Sequence, residues 1–176
     1  MNLPFQISIC GLHEIDEFKD ENITHILSIL DPEDDVPDPD WFGGVQTFIP
    51  FSDIESEADG FQEFDKCADP TDVQSIIDFG RQCHASAGEA DTHLLVHCYA
   101  GISRSTAATF IILCDLLDGA DETDLLKWVI QIRPQAYPNI RVVQLGDELL
   151  EREGSLTRAL QPMRDHSDRR IQDLLN

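Results

Sequence analysis

Short apolar runs recur along the chain, separated by longer stretches in which apolar positions return every three or four residues. FQISIC (5–10), THILSIL (24–30), VQTFIPF (45–51) and THLLVHC (92–98) are short, apolar and bounded by polar or turn-forming residues, which predicts strands. Between them the period lengthens. A short helix is expected around Glu14–Lys19, and Thr71 or Asp72 can cap a helix through about Ala87, with Val73, Ile76, Ile77 and Gly80 on one face. From about Ser103 to Leu117 the residues Ala107, Ala108, Phe110, Ile111, Ile112, Leu113, Leu116 and Leu117 are apolar nearly all round, so that helix should be central and buried. Asp121 can cap a helix through about Ile132. Arg133-Pro134 breaks it, and Pro138-Asn139 opens another that ends near Glu153. Strands alternating with helices predict an α/β fold, a mainly parallel central sheet flanked by helices.

The connections differ in character. DPEDDVPDPD (31–40), with three prolines and six acids, reads as a loop. Residues 52–70 form an acidic connection longer than most loops need, and such loops are often lids or binding loops. At 176 residues with no internal repeat, the chain is most simply one unit over 1–153. The charged segment 154–176 follows, with a weaker helical pattern from about Pro162 to Leu175.

Charge narrows the partners. Asp+Glu number 34 against 12 Lys+Arg, a net −22, and such a field repels nucleic acid and anionic lipid surfaces. No nucleic-acid or membrane partner is therefore expected, and attraction to basic proteins is the alternative use of that field. No signal-peptide pattern opens the chain, and no apolar stretch approaches the ~20 residues of a membrane helix, so a cytoplasmic location is expected. The five cysteines (10, 67, 83, 98, 114) show neither C-x-x-C nor paired Cys/His spacing. No disulfide framework, metal site or cofactor is expected, and four of the five read as small buried hydrophobes.

Cys98 differs because of what surrounds it. In THLLVHCYAGISRSTAATF (92–110) an apolar strand runs into His97-Cys98, then into a loop with Gly101 and Arg104, then into the buried helix. The backbone between strand and helix must curl, and Gly101 can take a left-handed conformation or permit close approach. Successive amides at a helix N-terminus form an anion site. Arg104, six residues after Cys98, can close the ring with a planar fork suited to tetrahedral oxyanions. Inward N–H groups, the positive end of the helix and Arg104 all favour negative charge on the sulfur. That field acts over a few ångströms, whereas remote acidic charge is screened over ~8–10 Å. Cys98 thus has what a nucleophile requires.

HCYAGISRS resembles the H-C-x5-R-S/T signature of the cysteine-based protein tyrosine phosphatase superfamily, and A-G-I-S-R-S is especially similar to its dual-specificity branch. The resemblance extends over roughly residues 45–150. It implies a phosphatase-like fold with the phosphate loop between a strand and a buried helix. It also implies that Cys98 attacks phosphorus and forms a cysteinyl phosphate, and that Arg104 binds two phosphate oxygens. Ser105 would hydrogen-bond the sulfur, and His97 would shape the loop. Tyr99, Ala100, Gly101, Ile102 and Ser103 would form the substrate-binding bowl, Ser103 also starting and capping the helix. No metal is implied.

A phosphate ester also needs a proton for its leaving oxygen. FIPFSD resembles the I-P-x-x-D segment that carries the acid in dual-specificity phosphatases, which nominates Asp53. Its 45-residue separation from Cys98 is longer than common, and on spacing alone Asp65 or Asp69 competes. RPQAYPN (133–139) resembles a segment downstream of the bowl in the same branch. Its Asn139 either starts and caps a helix or packs against the active-site loop. Some relatives protect the nucleophile with a disulfide, for which Cys67, Cys83 and Cys114 are the available partners here. The function implied is phosphomonoester hydrolysis on a phosphoprotein or phosphopeptide. Phosphatases of a small metabolite, and a non-catalytic phosphate-binding scaffold, are the alternatives. Lipid and RNA phosphatases would carry basic residues in the bowl, and none lies between Cys98 and Arg104.

Overall fold

The four apolar runs pair into one parallel sheet of order β1-β4-β2-β3: β1 (Gln6–Gly11), β2 (His25–Leu30), β3 (Val45–Pro50) and β4 (His93–Cys98). The computed structural model describes residues 3–60, 65–87 and 91–175, with side chains through Asp165. β4 lies between β1 and β2, and all six of its residues are buried. Side chains alternate across a strand. Ile7, Ile9, Leu27, Ile29, Leu94, Val96 and Cys98 therefore face one layer, while Cys10, Ile26 and Leu95 face the other.

The first layer holds α1 (Pro70–Ser86), α2 (Arg104–Leu116), α3 (Glu122–Ile132), α4 (Ile140–Leu149) and α5 (Ser155–Leu175). The second face is covered by a 3-10 turn, Leu12–Phe18, together with Ile23, Trp41 and Phe42. As expected from its all-round apolar pattern, α2 is buried from Arg104 to Cys114. Phe110, Ile111 and Ile112 are among the largest fully buried side chains, each contributing about 1.5–3 kcal/mol. Neighbouring helices approach α2 through glycine. A Cβ on Gly80 of α1 would stand 2.8 Å from Ile112, and one on Gly146 of α4 would stand 2.6 Å from Ile111.

Some boundaries differ from those the pattern predicts, each for a local reason. The cap of α1 is Asp69, not Thr71 or Asp72: its carboxylate accepts from Thr71 N (2.7 Å) and Asp72 N (3.1 Å), with Pro70 in the first turn. The segment near Glu14 is a short 3-10 helix between β1 and the chain's return toward β2. Helix α4 ends at Leu149 because Glu151, Glu153 and Gly154 turn to positive φ. Helix α5 starts at Ser155, seven residues ahead of the predicted pattern. Asp147 accepts from the backbone N–H groups of Gly154, Leu156 and Thr157, and Leu156 and Leu160 reach the core. Among the described residues no helix is long and apolar enough to cross a membrane.

Candidate active site

All four strands end on the same edge, where open parallel sheets bind ligands. Gly11 closes β1, Asp31 follows β2, Asp53 follows β3 and Cys98 closes β4, with Gly11 and Cys98 directly paired. The Cys98 sulfur is 1% exposed, accepts from Gly101 N at 3.2 Å, and lies 3.2 Å from Ser105 Oγ.

The loop between Cys98 and α2 is held from outside by its carbonyls. Tyr99 O accepts from Leu12 N (3.0 Å), and Ala100 O from Arg133 Nη2 (3.0 Å). Gly101 O accepts from Arg133 Nε (2.9 Å), Ile102 O from Tyr137 N (2.8 Å), and Ser103 O from Asn139 N (3.3 Å) and Ala107 N (3.0 Å). A trans peptide points its N–H opposite to its carbonyl. Carbonyls of residues 99–103 fastened outward therefore turn the N–H groups of residues 100–104 toward the interior of the curl. Gly101 permits this with φ +69°, and a Cβ there would meet Cys10 backbone at 2.5 Å.

Arg104 completes the ring. It is 3% exposed, and its Nη1 donates to Asp31 Oδ1 (2.9 Å) and to Phe51 O (2.8 Å). Among the described residues its buried Nε has no acceptor. A buried donor left without an acceptor costs about 1–3 kcal/mol, so this side chain is built for an anion.

Asp53 reaches the same edge. Its Oδ1 accepts from Ser103 Oγ (2.6 Å) and from Asn139 Nδ2 (2.9 Å). The Ser103 hydroxyl thus does not cap α2, as its N-cap position predicts; it turns to the carboxylate. Asn139 takes both alternatives at once: its Oδ1 accepts from Val142 N and caps α4, while its backbone N–H donates to Ser103 O of the loop and its side-chain amide to Asp53. The two competing acids are engaged elsewhere. Asp69 caps α1, and the Asp65 side chain packs beside Gly60. The long connection is pinned at its neck, Ser52 N donating to Lys66 O (2.8 Å), and Asp53 is the first residue beyond that neck. Residues 61–64 of that connection lie outside the described residues.

A protein-family model described as Protein-tyrosine phosphatase matches residues 61–141. MAP kinase phosphatase with leucine-rich repeats protein 2 of Dictyostelium discoideum is 33% identical over 124 residues. The chain belongs to the cysteine-based protein tyrosine phosphatase superfamily. The aligned segment is 69% of this chain and 15% of that relative, so the chain spans a minor part of the relative's length. Two solved structures share the fold. DUSP15 is 23% identical at a TM-score of 0.59, covering 93% of this chain and 92% of that one. The Yvh1 phosphatase domain from Chaetomium thermophilum is 22% identical at a TM-score of 0.60, covering 89% and 95%. The parallel sheet flanked by helices is the fold of dual-specificity phosphatases.

Within this fold, several groups around the Cys98–Arg104 loop were given no role by the sequence. Arg133 read as a helix breaker and as the first residue of the RPQAYPN segment, with no role of its own. It holds two loop carbonyls and pairs with Glu14 at 2.7 Å, while Glu14 also accepts from Gly11 N at 2.7 Å. The hydrogen bond from Arg133 outweighs the raising effect of burial and, with the Gly11 N–H, holds the Glu14 carboxyl below its usual range. Asp31 was one acid among six in its loop; its position directly after a parallel strand was the available clue. Tyr99 and Ile102 are 54% and 36% exposed, so their side chains flank the mouth of the loop, Tyr99 lying edge-on to His13.

His97 is fully buried. Gln46 Nε2 donates to Ser28 Oγ, which leaves the Ser28 hydroxyl proton for His97 Nε2 at 2.7 Å. Burial, with a smaller opposing contribution from the Cys98 backbone and a further lowering by Arg104, pushes its pKa down to about 4. The imidazole is neutral near pH 7. Above 6.5 it is neutral both folded and unfolded; below that the unfolded chain takes up the proton first. Stability is therefore lost as pH falls from 6.5 toward 4, by about 3 kcal/mol in all. Urea unfolding of wild type and His97→Asn at pH 7 and pH 4 is expected to show a loss smaller by that order in the variant.

Among the described residues all five cysteines are free. Burial pushes the thiols of Cys10 and Cys83 up to about 12 and that of Cys114 up as well, which makes them poor nucleophiles. Cys10 also lies on the opposite face of the sheet from Cys98. No three His, Cys, Asp or Glu side chains among the described residues converge on a metal-sized point.

Proposed function

We propose that this protein is a phosphomonoester hydrolase working through a cysteinyl-phosphate intermediate, with phosphotyrosine and phosphoserine/threonine proteins as its substrate class. The observation that carries the reading is the buried Arg104 Nε, unmatched by any acceptor among the described residues, beside a loop whose carbonyls all face away. A tetrahedral dianion supplies the acceptors that both need.

In the first step the Cys98 sulfur attacks phosphorus, the S–P bond forms, and the bond to the leaving oxygen breaks as Asp53 delivers its proton to that oxygen. Arg104 and the loop amides hold the three equatorial oxygens, where charge is spread in the transition state. In the second step Asp53, now a carboxylate, takes a proton from water. The water oxygen attacks phosphorus, the S–P bond breaks, and inorganic phosphate leaves with the sulfur returned to its starting state. Ser105 Oγ, 3.2 Å from the sulfur, supports that departure by hydrogen bonding to it. Tyr99, Ala100, Gly101, Ile102 and Ser103 form the wall of the bowl, and His97 and Asn139 support it.

The net charge of −22 disfavours nucleic-acid and anionic-lipid substrates and membrane surfaces. Free thiols fit a reducing, cytoplasmic setting. The test measures phosphate release with a chelator present, from phosphotyrosine, phosphoserine and phosphothreonine peptides and from small phosphorylated metabolites. Release from phosphotyrosine peptides is expected. Release confined to a small metabolite displaces the protein substrate, and no release from any phosphoester overturns the hydrolase.

A further inference from the structure

The acid-bearing segment is tied to the end of the chain. Glu55, two residues after Asp53, takes a two-pronged pair from Arg164 of α5: Nη1 to Oε1 at 2.9 Å and Nη2 to Oε2 at 2.6 Å. The same guanidinium stands 5.4 Å over the ring of Tyr137, whose backbone N–H holds the phosphate loop through Ile102 O. Glu55 sits at the N-terminus of α4, with Oε1 3.5 Å from Ile140 N, where the positive end of a helix favours a carboxylate. The side chains of Arg164 and Glu55 are 23% and 37% exposed, and a forked pair of this geometry is stronger than an ordinary surface pair.

Arg164 is mounted on the face of α5 that enters the core, two residues past the interior Pro162. Leu156, Leu160 and Arg164 follow at intervals of four, so the arginine continues the stripe by which α5 enters the core. The first turn of α5 is fixed by Asp147, which accepts from the N–H groups of residues 154, 156 and 157. The three residues 53–55 are therefore held in series. Ser103 and Asn139 hold the Asp53 carboxylate, Asn139 also approaches Ile54 O at 3.4 Å, and Arg164 holds Glu55.

We propose that Arg164 and Glu55 are positioning residues for the general acid: their fork, backed by Tyr137, holds the segment that carries Asp53 over the phosphate loop. The inference rests on the assignment of Asp53 under Proposed function. When the segment loosens, the proton donor spends less time within reach of the leaving oxygen, and small misplacements of this kind are costly. Protonation matters for a poor leaving group and little for one that departs as a stable anion, so the two substrate types separate positioning from general damage.

The experiment measures kcat and kcat/KM of the full chain for phenyl phosphate and for 2,4-dinitrophenyl phosphate, in wild type, Arg164→Ala, Glu55→Gln, Asp53→Asn and the Arg164→Ala/Asp53→Asn double variant. The single variants Arg164→Ala and Glu55→Gln are expected to lose on the order of tenfold in kcat on phenyl phosphate, within the ~10²–10⁴-fold that a general acid contributes. On the dinitrophenyl ester they fall much less. In the Asp53→Asn background Arg164→Ala adds no further selective loss. Equal losses on both esters, independent loss in the double variant, or wild-type kcat on phenyl phosphate in both Arg164→Ala and Glu55→Gln overturns the inference. If wild type hydrolyses neither ester, the function itself fails and not the positioning alone. Urea unfolding of each variant identifies any that does not fold, and Glu55→Gln, which keeps the side-chain size, then decides.

Discussion

Cys98→Ser is expected to reduce phosphate release by ~10⁴–10⁶-fold while leaving phosphate-ester binding in place. The sulfur is buried, is met by the Gly101 N–H at 3.2 Å, and lies on the floor of the loop that Arg104 closes. A serine hydroxyl is smaller, fits the same position, and is a weak nucleophile without a base to take its proton. No effective base is available on the floor: burial pushes the His97 pKa down to about 4, which makes it a weak base, and its ring lies on the other face of the strand with Nε2 occupied by Ser28. The loop amides and Arg104 remain, so affinity for an unreacted phosphopeptide persists. Rapid acid quenching after mixing with a ³²P-labelled phosphopeptide is expected to leave label on the wild-type protein and none on Cys98→Ser. Equal turnover in the two proteins would end the covalent mechanism.

Asp53→Asn has the second largest expected effect, a loss of ~10²–10⁴-fold on substrates with poor leaving groups such as phosphotyrosine and phenyl phosphate. The amide keeps the size of the carboxylate and can still accept from Ser103 and Asn139, so the segment is expected to stay where it is. What disappears is the transferable proton in the first step and the base in the second. A substrate whose leaving group departs as a stable anion regains much of the first-step rate, so the ratio of the two rates measures the loss of acid catalysis specifically. Full activity in Asp53→Asn, with a comparable loss in Asp65→Asn, would move the acid to the long connection.

The choice among Asp53, Asp65 and Asp69 shows where sequence reading stops. Spacing from Cys98 spoke against Asp53, because the connection after it is long. In the structure the connection closes on a neck between Ser52 and Lys66, and Asp53 stands beside that neck with its carboxylate on Ser103 and Asn139. Asp69 read equally well as an acid, and its two bonds to Thr71 and Asp72 amides use it as a cap. Ser103 illustrates the reverse. Its N-cap position is a sound prediction from local preference, but a carboxylate in the connection after β3 accepts its hydroxyl proton.

The sequence by itself determined the strands, the buried helix α2 and the strand-loop-helix that presents Cys98 and Arg104. Those features are local: period, turn residues and helix starts act over a few neighbouring positions, and Cys98 and Arg104 are six residues apart. Only the tertiary structure decided what surrounds them. Asp31 meets Arg104 across 73 residues, Asn139 meets Asp53 across 86, and Arg164 meets Glu55 across 109. Periodicity tells which face of an element is covered but not what covers it, and a charged residue in an acidic chain looks alike whether it is solvated or clamped. The parallel sheet brings the ends of all four strands to one edge, and there the partners are chosen by packing.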